Sequence, residues 1–187
     1  KRPWYESAVQ AGKPVWSDIY TFVYPAGNLG ITANQPLYDN TGKLQGVLAA
    51  DFMLVKIGEF LQNLKIGRTG QTFIMERSGL IVASSTAEPP FLRVQGRKED
   101  KRLKARDSRV PLIRASTQYL LEHFGDLAKI TNAQQLNFTL AGERQFLQVT
   151  PLRDNNGLDW LIVVVVPEVD FLEKINTNTR TTVLLLI

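Results

Sequence analysis

Cysteine is absent from the 187-residue chain. That excludes a disulfide framework, a thiol nucleophile and any cysteine-ligated metal centre. Histidine occurs once, as His123, so there is no multi-histidine metal site and at most one imidazole base. It lies beside Phe124 in an amphipathic stretch and reads as a half-buried surface residue. No Gly-x-Ser-x-Gly elbow or phosphate loop is present. Gly67-Arg68-Thr69-Gly70 lacks the Gly-Lys-Thr/Ser ending and reads as a turn before a strand. The opening Lys1-Arg2-Pro3-Trp4-Tyr5 does not read as a secretory signal, being neither an apolar core nor a cleavage site. These absences speak against an enzyme, and no cofactor and no metal are expected.

The chain is 44% hydrophobic and 21% charged, which suits a folded chain and excludes wholesale disorder. The net charge of +4 is local in origin. Residues 93–109 carry eight Lys/Arg and three Asp/Glu, and the remainder is close to neutral. No aromatic side chain is interleaved there, so the segment reads as a solvated loop or helix face, not a nucleic-acid surface. Contact with anionic lipid headgroups or a partner is the other reading.

An internal repeat sets the architecture. Pro36-Leu37-Tyr38-Asp39-Asn40-Thr41-Gly42 recurs as Pro151-Leu152-Arg153-Asp154-Asn155-Asn156-Gly157. Each copy is a turn signal preceded by strand-like sequence, followed by an apolar run and then by a helix-like stretch. The second copy reads whole. Gln71–Glu76 and Leu80–Ser84 are strands across a Ser78-Gly79 turn. Val110–Phe124 has helical apolar spacing, and Gly125 suits its C-terminus. Leu136–Leu140, Gln145–Leu152 and Trp160–Val166 form a three-strand meander. This is an α+β, PAS-like plan with an antiparallel sheet of five strands. By the repeat spacing, the first copy would open about fifty residues before Lys1. The expectation is two tandem PAS-like modules, the first truncated at its N-terminus. Residues 1–56 would belong to the first module, 57–65 to a connecting helix, 66–167 to the second module, and 168–187 to a C-terminal helix. The terminal run Val183-Leu184-Leu185-Leu186-Ile187 would start a transmembrane segment or pack as a short greasy turn.

The two copies differ in polarity. Counted from the residue after the glycine loop, Asp51 falls opposite Val165. A carboxylate in an otherwise apolar strand needs a cation, hydrogen-bond donors or solvent. It could cap the following helix or serve as counter-ion to a cationic ligand group. Arg2, Trp4 and Tyr5 open the chain, with Trp16, Asp18 and Tyr20 close behind. Arg2 offers a planar fork for a carboxylate, and the aromatics offer walls, an indole donor and hydroxyls. With Asp51 they make a kit for a zwitterion. The plainer reading makes these aromatics the core of the first module.

Arg2-Pro3-Trp4-Tyr5, Trp16-Ser17-Asp18-Ile19-Tyr20 and Gly46-Val47-Leu48-Ala49-Ala50-Asp51 resemble the membrane-distal half of a double Cache sensor domain. Asp159–Glu168 is similar to the close of the membrane-proximal module. The resemblance covers the whole chain. It implies tandem PAS-like modules in the extracytoplasmic, ligand-binding part of a bacterial chemoreceptor, histidine kinase or nucleotide cyclase. It implies anchorage in the cell membrane through flanking helices, with a homodimer compatible. Within that family an amino-acid-binding subgroup carries Arg-x-Trp-Tyr, a later Tyr and a strand-end Asp. By this resemblance Arg2 and Trp4 would hold a ligand carboxylate, Tyr5 and Tyr20 would line the pocket, and Asp51 would hold the amine. Trp16 completes the candidate ligand-binding set. Phe22 stands where the subgroup often carries a further acid. The second module has no such set, so no zwitterion site is expected there. The rival reading is a structural or partner-binding repeat protein.

Overall fold

The computed structural model describes residues 2–22, 28–64, 66–92 and 101–171. Residues 93–100 of the basic segment and the apolar run at 181–187 lie outside this set. The elements are α1 (Pro3–Ala11), β1 (Val15–Trp16), β2 (Tyr20–Thr21), β3 (Leu29–Tyr38), β4 (Leu44–Met53), α2 (Leu54–Asn63), β5 (Gln71–Glu76), β6 (Ile81–Ser84), β7 (Phe91–Leu92), β8 (Lys101–Arg102), α3 (Pro111–Phe124), β9 (Gln134–Leu140), β10 (Glu143–Arg153) and β11 (Asp159–Pro167). The architecture is α+β with antiparallel sheets, as the repeat implies. Two compact units result: Lys1–Glu59 with Leu152–Asp159, and Phe60–Pro151 with Trp160–Ile187.

In the first unit β3 is the central strand. It pairs with β1 and β2 on one side and with β4 on the other, all antiparallel. Helix α1 was not evident from the sequence. It starts with Pro3, whose fixed φ suits the first helical position, and ends at Gly12 with φ 62°. Its Ala8 is fully buried, and the helix packs against β1, β3 and β4. Phe22, in the place of the subgroup's further acid, is a core residue. Its ring lies where a Cβ on Gly30 would stand, 2.2 Å from its nearest atom, so only glycine lets the ring lie flat on β3.

The second unit holds the five-stranded sheet in the order β6-β5-β11-β10-β9. Its core joins Phe73 and Met75 of β5, Leu147 and Val149 of β10, Leu161 and Val163 of β11, and Ile113 and Leu120 of α3. Side chains buried this fully contribute about 1.5–3 kcal/mol each before ordering costs. β11 sits in the middle of this sheet and is buried along most of its length. The repeat-related β4 pairs only with β3 among the described residues and leaves Leu48 and Phe52 half exposed or more.

Two readings of the sequence change here. Helix α2 begins at Leu54, directly after β4, three residues ahead of the stretch that looked helical. The described part of the basic segment is also more than a solvated loop. Leu103 and Ala105 are buried in the core, and Arg102 pairs with Glu76 at 2.8 Å. Among the described residues of this segment, Lys101, Lys104, Arg106, Asp107 and Arg109 face solvent.

The Gly67–Gly70 turn has a definite job. Residues 168–171 are helical, and Asp170 reaches back to this turn. Its Oδ2 accepts the backbone N–H groups of Arg68 (2.8 Å), Thr69 (2.7 Å) and Gly70 (3.1 Å), while Oδ1 accepts the Thr69 hydroxyl (3.1 Å). Successive N–H groups turned toward one point form an anion nest. Gly67 has φ 64°, and a Cβ there would stand 2.4 Å from Asp170 Oδ2. Burial works to raise the Asp170 pKa. The Thr69 N–H and hydroxyl, then the Arg68 and Gly70 N–H groups, outweigh it and hold the carboxyl below its usual value.

The folded form thus favours charged Asp170. Its contribution is present above the unfolded value and fades as pH falls below about 4. Asp170→Ala should cost roughly 2–3 kcal/mol at neutral pH, because three N–H groups and a hydroxyl lose a charged acceptor. Chemical denaturation of parent and variant at pH 7 and pH 3 should show the gap narrowing at the lower pH. An equal gap at both would contradict the nest.

Candidate functional site

Hairpin register decides which side chains share a face. Asp39 Oδ1 accepts the backbone N–H groups of Thr41 and Lys43, and Asp154 Oδ1 accepts those of Asn156 and Leu158. The two turns are therefore built alike, 115 residues apart. In the first hairpin Leu37 pairs with Gly46 but Tyr38 with Leu44, so Gln45 is an extra bulged residue in β4. Past that residue the offset along β4 is 114, and Asp51 corresponds to Val165. Along β3 it stays 115, so Thr32 corresponds to Leu147 and Asn34 to Val149.

The pairs Thr32↔Asp51 and Asn34↔Ala49 place these residues on one face of the first sheet. In the second unit the corresponding Leu147, Val149 and Val165 are all buried aliphatics. The first unit thus puts a hydroxyl, an amide and a carboxylate where its own repeat puts dry core. Thr32 is fully buried and Asn34 is 3% exposed, whereas Asp51 is exposed. Asp51 is not a helix cap. Its Oδ1 accepts a hydrogen bond from Thr32 Oγ1 at 2.7 Å, and Thr32 Oγ1 lies 2.7 Å from the Tyr20 hydroxyl. The Asn34 amide donates to the Thr32 carbonyl, and its buried Oδ1 has no partner among the described residues.

Tyr20 and Asp51 are therefore joined through Thr32, a residue the sequence reading passed over. The signal was available in the repeat, since Thr32 aligns with a leucine. Arg2 is the extended residue ahead of α1, and Trp4 and Tyr5 lie in its first turn with their rings edge to face at 5.8 Å. Among the described residues no hydrogen bond or ion pair joins Arg2 to Asp51. Helix α1, which follows Arg2, packs against β3 and β4, the latter carrying Asp51.

Trp16 is placed differently. It pairs with Ala33 in β1, and Ala33 lies on the face opposite Thr32 because neighbouring strand residues alternate. Its ring meets Phe52 edge to face at 5.5 Å, and its indole N–H donates to Asp154 Oδ2. Trp16 also helps line a groove of about 320 Å³ with Ala33, Leu48, Ala50 and Asn156. None of Arg2, Trp4, Tyr5, Tyr20 or Asp51 borders that groove.

The chain matches the Cache domain family over residues 1–175. It belongs to that family. The methyl-accepting chemotaxis protein McpB of Bacillus subtilis (strain 168) is 34% identical over 86 residues, which is 44% of this chain and 12% of McpB. Among solved structures, the ligand-binding domain of the Pseudomonas aeruginosa PAO1 amino acid chemoreceptor PctB, in complex with L-Arg, is 22% identical with a TM-score of 0.53. That match covers 90% of this chain and 60% of PctB's solved chain. The ligand-binding domain of Mlp24 with asparagine is 18% identical with a TM-score of 0.58, covering 92% and 58%. This Cache chain thus spans about three fifths of the solved chains it resembles, and the likeness to them establishes the fold.

Within the Cache fold, the contacts of Trp16 make it an anchor for the Leu152–Asp159 hairpin tip. Burial works to raise the Asp154 pKa, but the Trp16 indole and the N–H groups of Leu158, Asn156 and Gly157 hold it below the usual value. Trp16→Phe keeps a ring against Phe52 and removes the donor. It should lower stability by about 0.5–1 kcal/mol, as a partly exposed bond implies, and leave ligand affinity unchanged. Denaturant melts alongside ligand titration check this. A large loss of affinity would make Trp16 a wall of the site instead.

Proposed function

We propose that the chain is part of the extracytoplasmic sensing region of a bacterial transmembrane receptor, and that its first unit takes an amino acid or related amine. The observation that carries this is the polar face. Thr32, Asn34 and Asp51 occupy positions where the second unit, built on the same hairpin plan, packs leucine and valine, and Tyr20 extends that face through Thr32. A fold that needed only a core there has an aliphatic solution at hand in its own sequence. The exposed Asp51 carboxylate suits an ammonium group, and Arg2 suits a carboxylate through a bidentate fork. Trp4 and Tyr5 supply flat walls. The solved structures of PctB with L-Arg and Mlp24 with asparagine support the ligand class, and McpB supports a receptor context.

The function follows from population shift. A receptor with two states responds only through the difference in ligand affinity between them. No step of covalent chemistry is needed. A closed first unit that gathers Arg2, just ahead of α1, and Asp51 of β4 around one ligand would supply that difference.

Charge-assisted hydrogen bonds contribute about 1.5–3 kcal/mol each. Arg2→Ala and Asp51→Asn should therefore each weaken binding of the natural amino acid by roughly ten- to a hundredfold. Titration calorimetry across the common amino acids on the natural full-length protein is the direct test. A decarboxylated analogue, such as agmatine for L-arginine, should lose its sensitivity to Arg2→Ala and keep that to Asp51→Asn. Binding by both variants at the parent's affinity would return these residues to a purely structural role.

A further inference from the structure

We propose that Thr32 sets the hydrogen-bond polarity of this site, committing Tyr20 to act as an acceptor so that this wall takes an ammonium group. The inference rests on the reading above that Tyr20 and Asp51 face the ligand.

The argument is a count of hydrogens. A threonine hydroxyl has one hydrogen and two lone pairs, and a carboxylate has only lone pairs. Thr32 Oγ1 lies 2.7 Å from Asp51 Oδ1, so the threonine hydrogen goes to Asp51. Thr32 then has nothing left to give the Tyr20 hydroxyl, also 2.7 Å away. That contact is a hydrogen bond only if Tyr20 donates. The phenol's single hydrogen is thereby consumed, and what Tyr20 can still offer is lone pairs. Asp51 offers lone pairs as well. Two side chains from different strands present acceptors together, which suits a group with several N–H donors and repels a carboxylate.

Thr32 is held where this requires it. Its backbone N–H donates to Ser17 Oγ at 3.0 Å, and its carbonyl accepts the Ser17 N–H at 2.9 Å. Both residues are buried. The fold does not need a hydroxyl at this point, because the corresponding Leu147 fills the same place in the second unit and is 2% exposed. A buried hydroxyl is tolerated only when it is hydrogen-bonded. Here both of its side-chain partners belong to the proposed site. Thr32 is a positioning residue, reaching the ligand through Tyr20 and Asp51.

Thr32→Val removes the hydroxyl at nearly constant shape and frees the Tyr20 hydrogen to point at the ligand. Titration calorimetry on the natural full-length protein would use the common amino acids and, for those that bind, the des-amino analogue. Succinamate serves for L-asparagine and 5-guanidinopentanoate for L-arginine. Thr32→Val should lower the preference for amino acid over des-amino analogue about tenfold, and Thr32→Ser should restore it. Tyr20→Phe, which leaves the Thr32–Asp51 bond in place, should also lower amino-acid affinity and leave the des-amino analogue unaffected. It carries the test if Thr32→Val fails to fold. A merely structural threonine would change stability without changing that preference. If Asp51→Asn weakens binding while Thr32→Val or Tyr20→Phe leaves the preference intact, the polarity inference is wrong and the ligand reading stands. If the parent binds no amino acid, both fall.

Discussion

The register of the β3–β4 hairpin is the constraint on which the first unit depends, and one carboxylate at its turn holds it. Asp39 gathers the Thr41 and Lys43 N–H groups on Oδ1, and also the Thr41 hydroxyl and the Gln45 amide. The Thr41 hydroxyl, then the Lys43 N–H, keep its carboxyl below the usual value. Gly42, at φ 80°, lets the chain turn back. Side chains alternate along a strand, so a slip of one residue would move Asp51 to the other face and bring Phe52 into its place. Thr32 would then face an aromatic ring, and the chain from Tyr20 to Asp51 could not form. The bulge at Gln45 works in the same sense, since it shifts every residue of β4 after it by one relative to β3.

On that frame the two units spend the same face differently. In the second, Leu147, Val149, Leu161, Val163 and Val165 are buried, and most of them pack with Ile113 and Leu120 of α3 in one dry cluster. In the first, threonine, asparagine and aspartate stand in place of Leu147, Val149 and Val165. Each swap removes apolar area worth on the order of 1–2 kcal/mol and adds a group that must be hydrogen-bonded or wet. The hydroxyl is satisfied within the sheet, and the carboxylate is partly solvated. The amide oxygen of Asn34 has no partner among the described residues. Such a face is a poor core and a reasonable floor for a polar ligand. The cost is tolerable because β3 is locked elsewhere, by Phe22 lying on Gly30 and by Ser17 bonded to both sides of the Thr32 peptide.

How much of this was legible in the sequence followed the strength of local signals. The strands of the second unit and α3 stand out because their apolar periodicity is long and their turns carry glycine. The repeat was visible because both turns use the same Asp-Asn-x-Gly chemistry. Helix α1 was hidden by its aromatic residues, which weaken helix propensity and drew notice as ligand walls instead. The onset of α2 at Leu54 was hidden by an apolar run that passes from strand to helix without a break. Tyr20 and Asp51 were marked by residue type and spacing. Their link through Thr32 was not, since a single threonine in a strand is unremarkable until the pairing register sets it beside Asp51. Trp16 shows the converse. Its type suggested a ligand wall, and only the β1–β3 register reveals that it lies on the opposite face with its donor spent on Asp154.

The second unit closes on itself by comparable means. Its chain enters the sheet through the turn at residues 67–70 and leaves it through the helical residues 168–171, and Asp170 ties the two together in a nest of three N–H groups. The exit is held at two further points. Phe171 meets Phe146 edge to face at 5.4 Å, and Glu168 lies 3.7 Å from Arg144, whose guanidinium sits over the Phe146 ring. Exposed pairs such as Arg144–Glu168 are weak, usually below about 1 kcal/mol, so the buried carboxylate dominates. β11 runs straight into this anchored turn. A displacement of the strand end must therefore either carry residues 168–171 and the 67–70 turn with it as one piece or break several charge-assisted hydrogen bonds at once. The first is far cheaper, which makes the end of β11 and the start of the following helix a single mechanical element.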